Sequence, residues 1–373
     1  MRVAILGCGY VANMYRLTLP LHPELELVGV YDRERSRSET FARLSGARAY
    51  ADFGEMLADD APMVLNLTNP RAHYETTRAL LEAGHHVYTE KPVAMDLGDA
   101  KALAALAEER GLHLSSAPCT LMSPAAQTLW RAVREDRAGR IRLIYAEMDD
   151  GPVPFAPWRR WVNEGGVAWP GADEFETGCT VEHAGYVLTW MCAMFGPAKT
   201  VTASTHTLMD EKIEGQYLSP ADDFSVAIVT FASGPVLRLT NGIYAEHDHG
   251  LRLFGDEGVL GVDDPRSDDS AVRLRRYRTL RRRRYLGKPE TLAPVGDAGA
   301  ITAYRGSQTR DFCRTVADMA AGIEAGRPPY IGADLSVHVT ELTLAAQGLI
   351  GDGGPYAVTT TFAPLEPLGG GAA

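Results

Sequence analysis

A short apolar run near the start of the chain leads straight into a glycine-rich turn and then into a helical segment. The run Arg2–Leu6 predicts a buried strand, and the spacing from about Val11 to Leu19 predicts a helix. In such a turn, one glycine permits the tight bend, a second lets a ligand approach the backbone, and a small third residue lets helix and strand pack closely. The residues concerned are Gly7, Gly9, Tyr10, Val11 and Ala12. The pattern predicts a strand–turn–helix unit that binds a dinucleotide.

The alternation of short apolar runs and helical segments continues through the first third of the chain. Strands that alternate with helices in this way form a parallel, doubly wound sheet. We predict further strands at Leu25–Tyr31, Met63–Leu67, His86–Thr89 and Leu112–Ser115, and helices at Ser36–Leu44, Arg71–Ala83 and Asp99–Arg110. We therefore expect residues 1–121 to form a dinucleotide-binding Rossmann domain of the α/β class.

Beyond Met122 the pattern changes to a succession of strands, which indicates an open, largely antiparallel sheet. A proline- and tryptophan-rich segment from Pro152 to Pro170 is too irregular for a helix or a strand. We expect an α+β domain for substrate binding and oligomerisation at residues 122–355, and a tail at 356–373 whose Gly/Ala residues are disordered. The predicted helices are Ala125–Arg137, Thr180–Phe195, Gln308–Ala325 and Leu335–Gly348, and the predicted strands are Ile141–Met148, Lys199–Thr207, Phe224–Phe231, Val236–Tyr244, Leu251–Phe254, Gly258–Val262 and Val272–Tyr277.

Composition excludes several classes of function. The net charge of −11 disfavours binding to nucleic acid or to an anionic membrane. No apolar stretch is long enough to span a bilayer, and Arg2–Leu6 is too short for a signal peptide, so we expect a cytoplasmic protein. Five widely spaced cysteines without a Cys-x-x-Cys pair predict reduced thiols rather than disulfides or structural zinc.

A basic run stands apart from this acidic background. It spans Arg273 to Arg284 and holds eight arginines, four of them consecutive. Because the arginines are interleaved with apolar residues, a solvated strand or a subunit edge is the favoured interpretation. A clamp for a phosphorylated or nucleotide-linked substrate is the alternative, since guanidinium groups match phosphate geometry.

Polar residues at predicted strand ends are placed to contact the dinucleotide. Asp32 ends the second predicted strand, where it would accept hydrogen bonds from the adenosine ribose and favour NAD. Arg33 and the arginines after it could instead neutralise the 2′-phosphate of NADP, or simply lie in an exposed loop. Thr68 and Asn69 end the third predicted strand, and His73 follows them. Asn69 could contact the cofactor or cap the next helix.

The tripeptide Glu90-Lys91-Pro92 directly follows the predicted strand His86–Thr89. The carboxyl ends of parallel strands meet at the edge of the sheet where a dinucleotide binds. When hydride leaves a secondary alcohol, the hydroxyl proton must leave as well, so a base is needed near that oxygen. A lysine can take this proton and can stabilise developing alkoxide charge. We predict that Lys91 is the acid/base of an oxidoreductase and that Glu90 lies beside it at the cofactor.

Together these features resemble the Gfo/Idh/MocA family of sugar and cyclitol oxidoreductases over most of the chain. The resemblance rests on the glycine-rich turn, Asp32, Glu90-Lys91-Pro92 and the change to an open sheet. It implies hydride transfer with NAD or NADP at a ring carbon that bears a hydroxyl or keto group, with Lys91 hydrogen-bonded to the reacting oxygen. It also implies that a cis peptide bond often precedes the proline, and that the sheet face pairs subunits into a homodimer or homotetramer.

The second domain departs from the family pattern. Family members commonly carry Gly-Gly-x-Leu-x-Asp-x-Gly-x-His at the entry to a helix, where the aspartate and the histidine face the substrate. Counting back from the helix end at Phe195 places Glu182 at the aspartate position and Tyr186 at the histidine position. Residues four apart share one helical face, so Tyr186 would be the second acid/base residue. His183 competes for this role, and it is also open that neither residue fills it.

Polar and aromatic residues elsewhere suit a carbohydrate, because apolar ring faces stack on aromatic side chains while hydroxyls need polar partners. The two tryptophans of the irregular segment could equally pack beneath a long loop. We expect no metal site at His247-Asp248-His249, because adjacent side chains on a strand point alternately and cannot converge alone. The predicted substrate contacts are Lys91, Trp158, Arg159, Glu182, His183, Tyr186 and His247.

The sequence thus predicts an NAD(P)-dependent dehydrogenase or ketoreductase that acts on a sugar, a nucleotide-linked sugar or a cyclitol. Two alternatives stay open. A related redox-neutral activity would cleave or isomerise a glycoside through transient oxidation. A nicotinamide-binding regulatory protein would keep the fold without the chemistry; the intact Glu90-Lys91-Pro92 counts against it, and the missing family histidine counts for it.

Overall fold

A computed structural model describes residues 1–213, 215, 221–295, 303–304, 308–352 and 354–368 of the chain. The predicted disorder of the Gly/Ala tail concerns residues 369–373 and lies outside the described residues. Among the residues that the structure describes, we find no helix long and apolar enough to cross a bilayer.

The strands in chain order are β1 Arg2–Leu6, β2 Glu26–Tyr31, β3 Arg48–Ala49, β4 Met63–Asn66, β5 His86–Thr89, β6 Leu114–Ser116, β7 Ile141–Asp149, β8 Ala198–His206, β9 Phe224–Phe231, β10 Val236–Gly242, β11 Leu251–Gly255, β12 Gly258–Val262, β13 Val272–Leu280, β14 Arg283–Leu286, β15 Glu290–Thr291, β16 Ala303–Tyr304, β17 Gln308–Thr309 and β18 Tyr356–Ala357. The helices are α1 Ala12–Thr18, α2 Arg35–Ser45, α3 Phe53–Leu57, α4 His73–Glu82, α5 Leu97–Glu109, α6 Pro124–Arg134, α7 Gly171–Thr177, α8 Cys179–Phe195, α9 Arg314–Ala325 and α10 Ala333–Ala346. Short 3-10 turns lie at Leu19–Leu21, Pro70–Ala72, Cys119–Met122, Val153–Phe155 and Trp158–Arg160.

The first sheet has the strand order β3-β2-β1-β4-β5-β6, and every neighbouring pair is parallel. Successive side chains of β1 point to opposite faces of the sheet. Val3 and Ile5 enter one apolar cluster, while Ala4 and Leu6 enter the other. Because helices cover both faces, the strand is apolar throughout, which explains its continuous hydrophobic run.

The compact unit around this sheet gathers three stretches of chain: Met1–Cys119, Ala156–Thr177 and Asp311–Glu341. The third stretch contributes core residues as well as surface. Phe312 stacks edge-on against Tyr15 with ring centroids 5.4 Å apart, and Val316 is fully buried in the same cluster. The predicted domain limits at residues 121 and 355 stay predictions.

The second compact unit comprises Thr120–Phe155, Gly178–Arg310 and Leu342–Ala373. Ten of its described strands form a sheet in the order β14-β13-β12-β11-β7-β10-β9-β8-β18, with β15 paired to β13, and β16 and β17 pair with each other. The β7–β10 pair is parallel, whereas the other pairs are antiparallel. Helix α8 packs against β7, β9 and β10 on one face of this sheet.

The predicted fold class, a parallel Rossmann sheet followed by a largely antiparallel sheet with helices, is confirmed. The predicted helix Gln308–Ala325 is wrong at its start, since α9 begins at Arg314 and Gln308–Thr309 forms β17. The reason is a side-chain turn. Asp311 Oδ1 accepts the backbone N–H of Cys313 at 3.1 Å, and this local bond competes with helical pairing. Tyr356–Ala357 of the predicted tail forms β18 against β8.

We expect a histidine near the start of α9 to make folding stability depend on pH. His22 Nε2 lies 2.8 Å from Asp311 Oδ2, and its Nδ1 lies 3.3 Å from Glu24 Oε1. Burial opposes protonation of His22, but these two carboxylates outweigh it and raise the pKa of His22. The stabilisation is therefore complete below the pKa of the unfolded chain and is lost as pH rises through the folded-state pKa.

The substitution His22→Gln should accordingly lower the free energy of unfolding by more at about pH 5.5 than at about pH 8.5. The difference should be on the order of 1 kcal/mol, the scale of one charged hydrogen bond. Urea denaturation at both pH values measures it, with His206→Gln on an exposed strand position as the matched control. Equal costs at the two pH values would contradict the prediction.

Candidate active site

The glycine turn after β1 is built as the sequence predicts. Gly7 has φ +92°, and a Cβ there would lie 2.7 Å from the carbonyl oxygen of Leu67, so only glycine fits. At Gly9 a Cβ would meet no heavy atom of the described chain within 4 Å, apart from its sequence neighbours. Tyr10 and Val11 are partly exposed and Ala12 is buried. The turn thus leaves open space at Gly9, where a pyrophosphate can approach the backbone.

Asp32 is tied to this turn by its carboxylate. Its Oδ2 accepts the backbone N–H of Cys8 at 2.8 Å, and its Oδ1 accepts that of Glu34 at 2.8 Å. These bonds fix the carboxylate beside the glycine turn, in the position from which it can bind a ribose. Arg33 is exposed. Burial raises the pKa of the Cys8 thiol, which therefore stays neutral beside the cofactor turn.

A segment from far along the chain packs on the glycine turn, which the sequence did not predict. Asn163 is buried, and its Nδ2 donates to the carbonyl oxygens of Gly9 and Tyr10 at 3.4 and 3.5 Å. Next to it, Glu164 forms an ion pair with Arg16 of α1. Asn163 therefore fixes the carbonyl side of the turn.

The turn after β4 is organised by a buried amide. Asn66 Oδ1 accepts the hydroxyl of Thr68 at 2.7 Å, and its Nδ2 donates to the hydroxyls of Thr76 and Thr77 on α4. Asn69 is exposed, and its side chain makes no capping hydrogen bond within the described chain. Of the two interpretations offered for Asn69, capping is therefore wrong, and cofactor contact stays a prediction.

His73 joins two turns and is completely buried. Its Nδ1 lies 2.7 Å from the carbonyl oxygen of Pro92, and its Nε2 lies 2.9 Å from that of Thr68. Burial lowers the pKa of His73, so the ring is neutral and donates from one nitrogen at a time. The structure supports a positioning role for His73, while direct contact with a cofactor stays a prediction.

The Glu90-Lys91-Pro92 turn presents its lysine while fixing the residues on either side. The buried Tyr15 hydroxyl donates to Glu90 Oε1 at 2.6 Å. Burial, with the nearby Glu90 carboxylate, raises the pKa of Tyr15 well above its usual range, so the phenol keeps its proton. Pro92 is buried, follows a cis peptide bond and is tied to His73. Lys91 is partly exposed between these two fixed neighbours.

Helix α8 offers two polar side chains on an otherwise buried surface. Glu182 is buried, but His183 and Tyr186 are partly exposed. Residues three apart in a helix are neighbours on one face, so this pair shares one accessible patch. Arg310 donates from Nη1 to the Tyr186 hydroxyl oxygen at 3.2 Å, which leaves the phenol proton available to another acceptor.

The partly buried carboxylate of Asp150 lies at the centre of a charged cluster beside this patch. His183 Nδ1 lies 2.8 Å from its Oδ2, and Arg266 Nη1 donates to its Oδ1 at 2.7 Å. His249 Nε2 approaches the same Oδ1 to 3.1 Å. Burial opposes ionisation of Asp150, but Arg266 and His183 outweigh it and hold the pKa of Asp150 well below its usual range.

The remaining predicted substrate residues lie in different surroundings. Trp158 is buried against Phe175, with ring centroids 5.5 Å apart, so it packs beneath its own loop. Arg159 is exposed and stacks on the ring of Trp158 at 4.5 Å. His247 is exposed, and its ring lies 4.2 Å from that of His249. Substrate contact by Trp158, Arg159 and His247 stays a prediction.

Two family models match this chain. One, an oxidoreductase family with an NAD-binding Rossmann fold, covers residues 1–117, and the other, the GFO/IDH/MocA C-terminal domain, covers residues 126–261. The chain belongs to the Gfo/Idh/MocA family. Its first sheet is therefore that of an NAD-binding Rossmann domain, and the resemblance seen in the sequence is confirmed.

Several oxidoreductases of the Gfo/Idh/MocA family are similar in sequence. An uncharacterised oxidoreductase of Synechocystis is 23% identical over 273 residues, which cover 70% of this chain and 72% of that protein. A dTDP-3,4-didehydro-2,6-dideoxy-alpha-D-glucose 3-reductase of Streptomyces antibioticus is 26% identical over 267 residues, 70% of this chain and 75% of that protein. A myo-inositol dehydrogenase of Streptomyces leeuwenhoekii is 34% identical over 155 residues, 41% of this chain and 47% of that protein.

Solved structures share the fold over nearly the whole chain. A putative NADPH-dependent oxidoreductase from Desulfitobacterium hafniense has a TM-score of 0.75 at 18% identity and covers 96% of this chain and 97% of its own. A 3-ketoreductase from Actinomadura kijaniata, in complex with NADP and TDP-benzene, has a TM-score of 0.71 at 21% identity and covers 93% and 97%. At these identities the likeness shows a common fold.

The two glycines of the turn should respond differently to substitution. In Gly9→Ala the added methyl group enters the open space at the turn, so NAD(P) affinity should fall about tenfold or more while the melting temperature stays near that of the wild type. In Gly7→Ala the methyl group would collide with the Leu67 carbonyl, so the melting temperature itself should fall. Cofactor titration and thermal unfolding of both variants measure the two effects. If Gly9→Ala lowered the melting temperature and left the cofactor affinity unchanged, the open space at Gly9 would not be a cofactor-binding site.

Proposed function

We propose that this member of the Gfo/Idh/MocA family is an NAD(P)-dependent dehydrogenase or ketoreductase. Its substrate would be a sugar, a nucleotide-linked sugar or a cyclitol, reacting at a secondary alcohol or ketone carbon. The observation that carries the proposal is the presentation of Lys91. Its neighbours are buried and held by Tyr15 and His73, while Lys91 alone in the turn is partly exposed.

The glycine turn and Lys91 serve the same chemistry. Gly9 leaves room for the pyrophosphate, and Asp32 and Asn69 would contact the ribose groups. A nicotinamide cofactor supplies the transfer of hydride to or from the substrate carbon. Lys91 takes the hydroxyl proton when the alcohol is oxidised and returns it to the oxygen when the ketone is reduced. The ammonium form of Lys91 also stabilises negative charge that develops on that oxygen.

Tyr186 is the second proton-transfer group of the proposal, and His183 binds substrate beside it. Arg310 occupies one lone pair of the Tyr186 oxygen, so the phenol can donate its proton without losing its orientation. His183 Nδ1 lies 2.8 Å from Asp150 Oδ2, and Nε2 is the nitrogen that would contact a substrate hydroxyl. Glu182 is buried, which favours a structural role over direct contact.

The proposed substrate class rests on the relatives and on the polarity of the α8 patch. Matched relatives reduce a dTDP-linked keto sugar or oxidise myo-inositol, as their names state. Imidazole, phenol and guanidinium groups provide the donors and acceptors that a polyhydroxylated ring needs. Mixed donors and acceptors of this kind do not suit a purely apolar ketone, which would leave them unpaired.

Location and assembly complete the proposal. All five cysteines are free and buried, in keeping with a cytoplasmic protein. We propose a homodimer or homotetramer formed through the sheet face that α8 does not cover. That face carries Tyr145 with Arg238 stacked 4.3 Å from its ring centre. Light scattering of the purified chain tests the assembly.

A screen of free sugars, nucleotide-linked sugars and cyclitols with NAD⁺ and NADP⁺ tests the activity directly. Nicotinamide absorbance should change with at least one substrate class. Release of a reducing sugar without such a change would favour the redox-neutral alternative. Tight cofactor binding with no turnover on any substrate would favour a regulatory protein.

Substitutions should then separate the roles of Lys91, Tyr186 and His183. Lys91→Met and Tyr186→Phe should each lower kcat by roughly 10²–10⁴-fold, because each removes a proton-transfer group. His183→Asn should act mainly on KM. Steady-state kinetics measures these effects, with Lys199→Met and Tyr285→Phe at exposed positions as matched controls. Near-normal kcat in Tyr186→Phe, with a collapse in His183→Asn, would transfer the role to His183.

A further inference from the structure

The residue directly after β7 and the segment just before β11 bring one carboxylate and two imidazoles together. A bridge pairs Asp149 with Asp248, with backbone hydrogen bonds of 3.0 and 2.9 Å in both directions. In an antiparallel pair, the residue after Asp149 lies opposite the residue before Asp248, so Asp150 faces His247. His249, two residues further, points to the same side of the sheet. The ligand atoms of Asp150, His247 and His249 lie within 4.8 Å of one another.

This convergence adds a residue that the sequence-based expectation of no metal site did not consider. That expectation considered only the three adjacent residues His247-Asp248-His249. It remains valid for Asp248, because the side chain of Asp248 points to the opposite face of the sheet from the two histidines. The missing ligand comes from Asp150, nearly a hundred residues earlier in the chain. The sequence carries no local signal for that pairing.

The hydrogen bonds of His249 leave two acceptors facing each other. His249 Nδ1 lies 3.3 Å from Asp264 Oδ1, so in the neutral ring Nδ1 donates to that carboxylate. The lone pair of Nε2 then points at Asp150 Oδ1, 3.1 Å away. Two acceptors at this distance repel unless a proton or a metal ion lies between them. Ligand atoms of a tetrahedral zinc site are themselves about 3.3 Å apart.

A second pair of buried atoms nearby is also unsatisfied. Within the described chain, Asp150 Oδ2 and His183 Nδ1 make no well-directed hydrogen bond, although they lie 2.8 Å apart. Arg266 donates to Asp150 Oδ1 and is the one guanidinium group in direct contact with this carboxylate among the described residues. Asp150 thus retains acceptor capacity on both oxygens.

The local charge is negative even with Arg266 present. The carboxylates of Asp150 and Asp264 lie beside Arg266, and Asp149 and Asp248, which pair through their backbones, are the chain neighbours of Asp150 and His249. Such crowding of carboxylates favours a divalent cation. The exposed ring of His247 gives the ion a path from solvent.

We infer that Asp150, His247 and His249 form a binding site for a divalent transition-metal ion of the zinc type. Two imidazoles and one carboxylate are the donor set such ions take with open coordination positions. The Asp264 carboxylate holds the His249 ring in the tautomer that ligation requires. Open positions beside the α8 patch would bind vicinal hydroxyls of a substrate. This last point rests on the proposed function, whereas the metal site itself does not.

Cobalt binding tests the site without any turnover. Protein treated with EDTA and freed of the chelator is titrated with Co²⁺, followed by visible absorption, and Zn²⁺ is then added in competition. We expect one ion per chain. His247→Gln and His249→Gln should each weaken binding at least 10²-fold, and Asp264→Asn should weaken it 10- to 100-fold. His206→Gln, an exposed histidine of β8, should bind as the wild type does.

Folding does not obscure the result, because His247 is exposed and its substitution should leave the melting temperature unchanged. Absence of saturable binding, or equal binding in His247→Gln and wild type, would overturn the site and assign the bridge between Asp150 and His249 to a proton. Metal binding in a protein that turns over no sugar would uphold the site and sink the proposed function instead.

The hydroxyl ligand is tested on the Co²⁺-loaded protein. An inositol with vicinal hydroxyls should shift the cobalt absorption, whereas cyclohexanol, a ring of the same size with one hydroxyl, should not. No shift with the inositol or with free hexoses would overturn the substrate role of the ion while leaving its binding site in place.

Discussion

The close approach of β1 to β4 at the carboxyl edge of the first sheet determines how the turns around the cofactor turn are positioned. A side chain at Gly7 would meet the Leu67 carbonyl at 2.7 Å, so the chain passes this point only as glycine. The approach sets the turn after β1 beside the turn that holds Thr68. His73 then ties that second turn to Pro92, and Lys91 is fixed as a result. One backbone contact thus determines the relative positions of three strand ends.

Part of this arrangement could be predicted from sequence because it depends on local patterns. The spacing of apolar residues predicted the parallel sheet. The glycines and the polar residues at strand ends predicted the turn at Gly7 and Gly9 and the turn at Lys91. The contacts of Asn163 with Gly9 and of Asp150 with His249 could not be predicted, because about a hundred or more residues separate the partners and no periodicity links them. The consecutive acids Asp149-Asp150 at a predicted strand end were the one available signal.

The same contrast applies to helix α8. Spacing alone could place Glu182 and Tyr186 on one face, and it could not show which of the residues there is covered. The structure buries Glu182 and leaves His183 and Tyr186 accessible. Burial depends on the sheet that packs against the helix, so it follows from tertiary contacts rather than from the helix sequence. Asp150, on that sheet, gives His183 a partner that Tyr186 lacks.

The first compact unit is assembled from three separate stretches of chain, and this limits how the protein can be recombined. Phe312 and Val316 belong to the apolar cluster that surrounds Tyr15, and Asn163 supports the glycine turn. A chimera that took only residues 1–119 from a relative would therefore combine the relative's cofactor domain with this chain's Phe312, Val316 and Asn163. Its core and its glycine turn would then pack against residues from a different protein. Exchange of cofactor preference within the family calls for transplanting residues 156–177 and 311–341 together with the first stretch, because the three stretches share one compact unit.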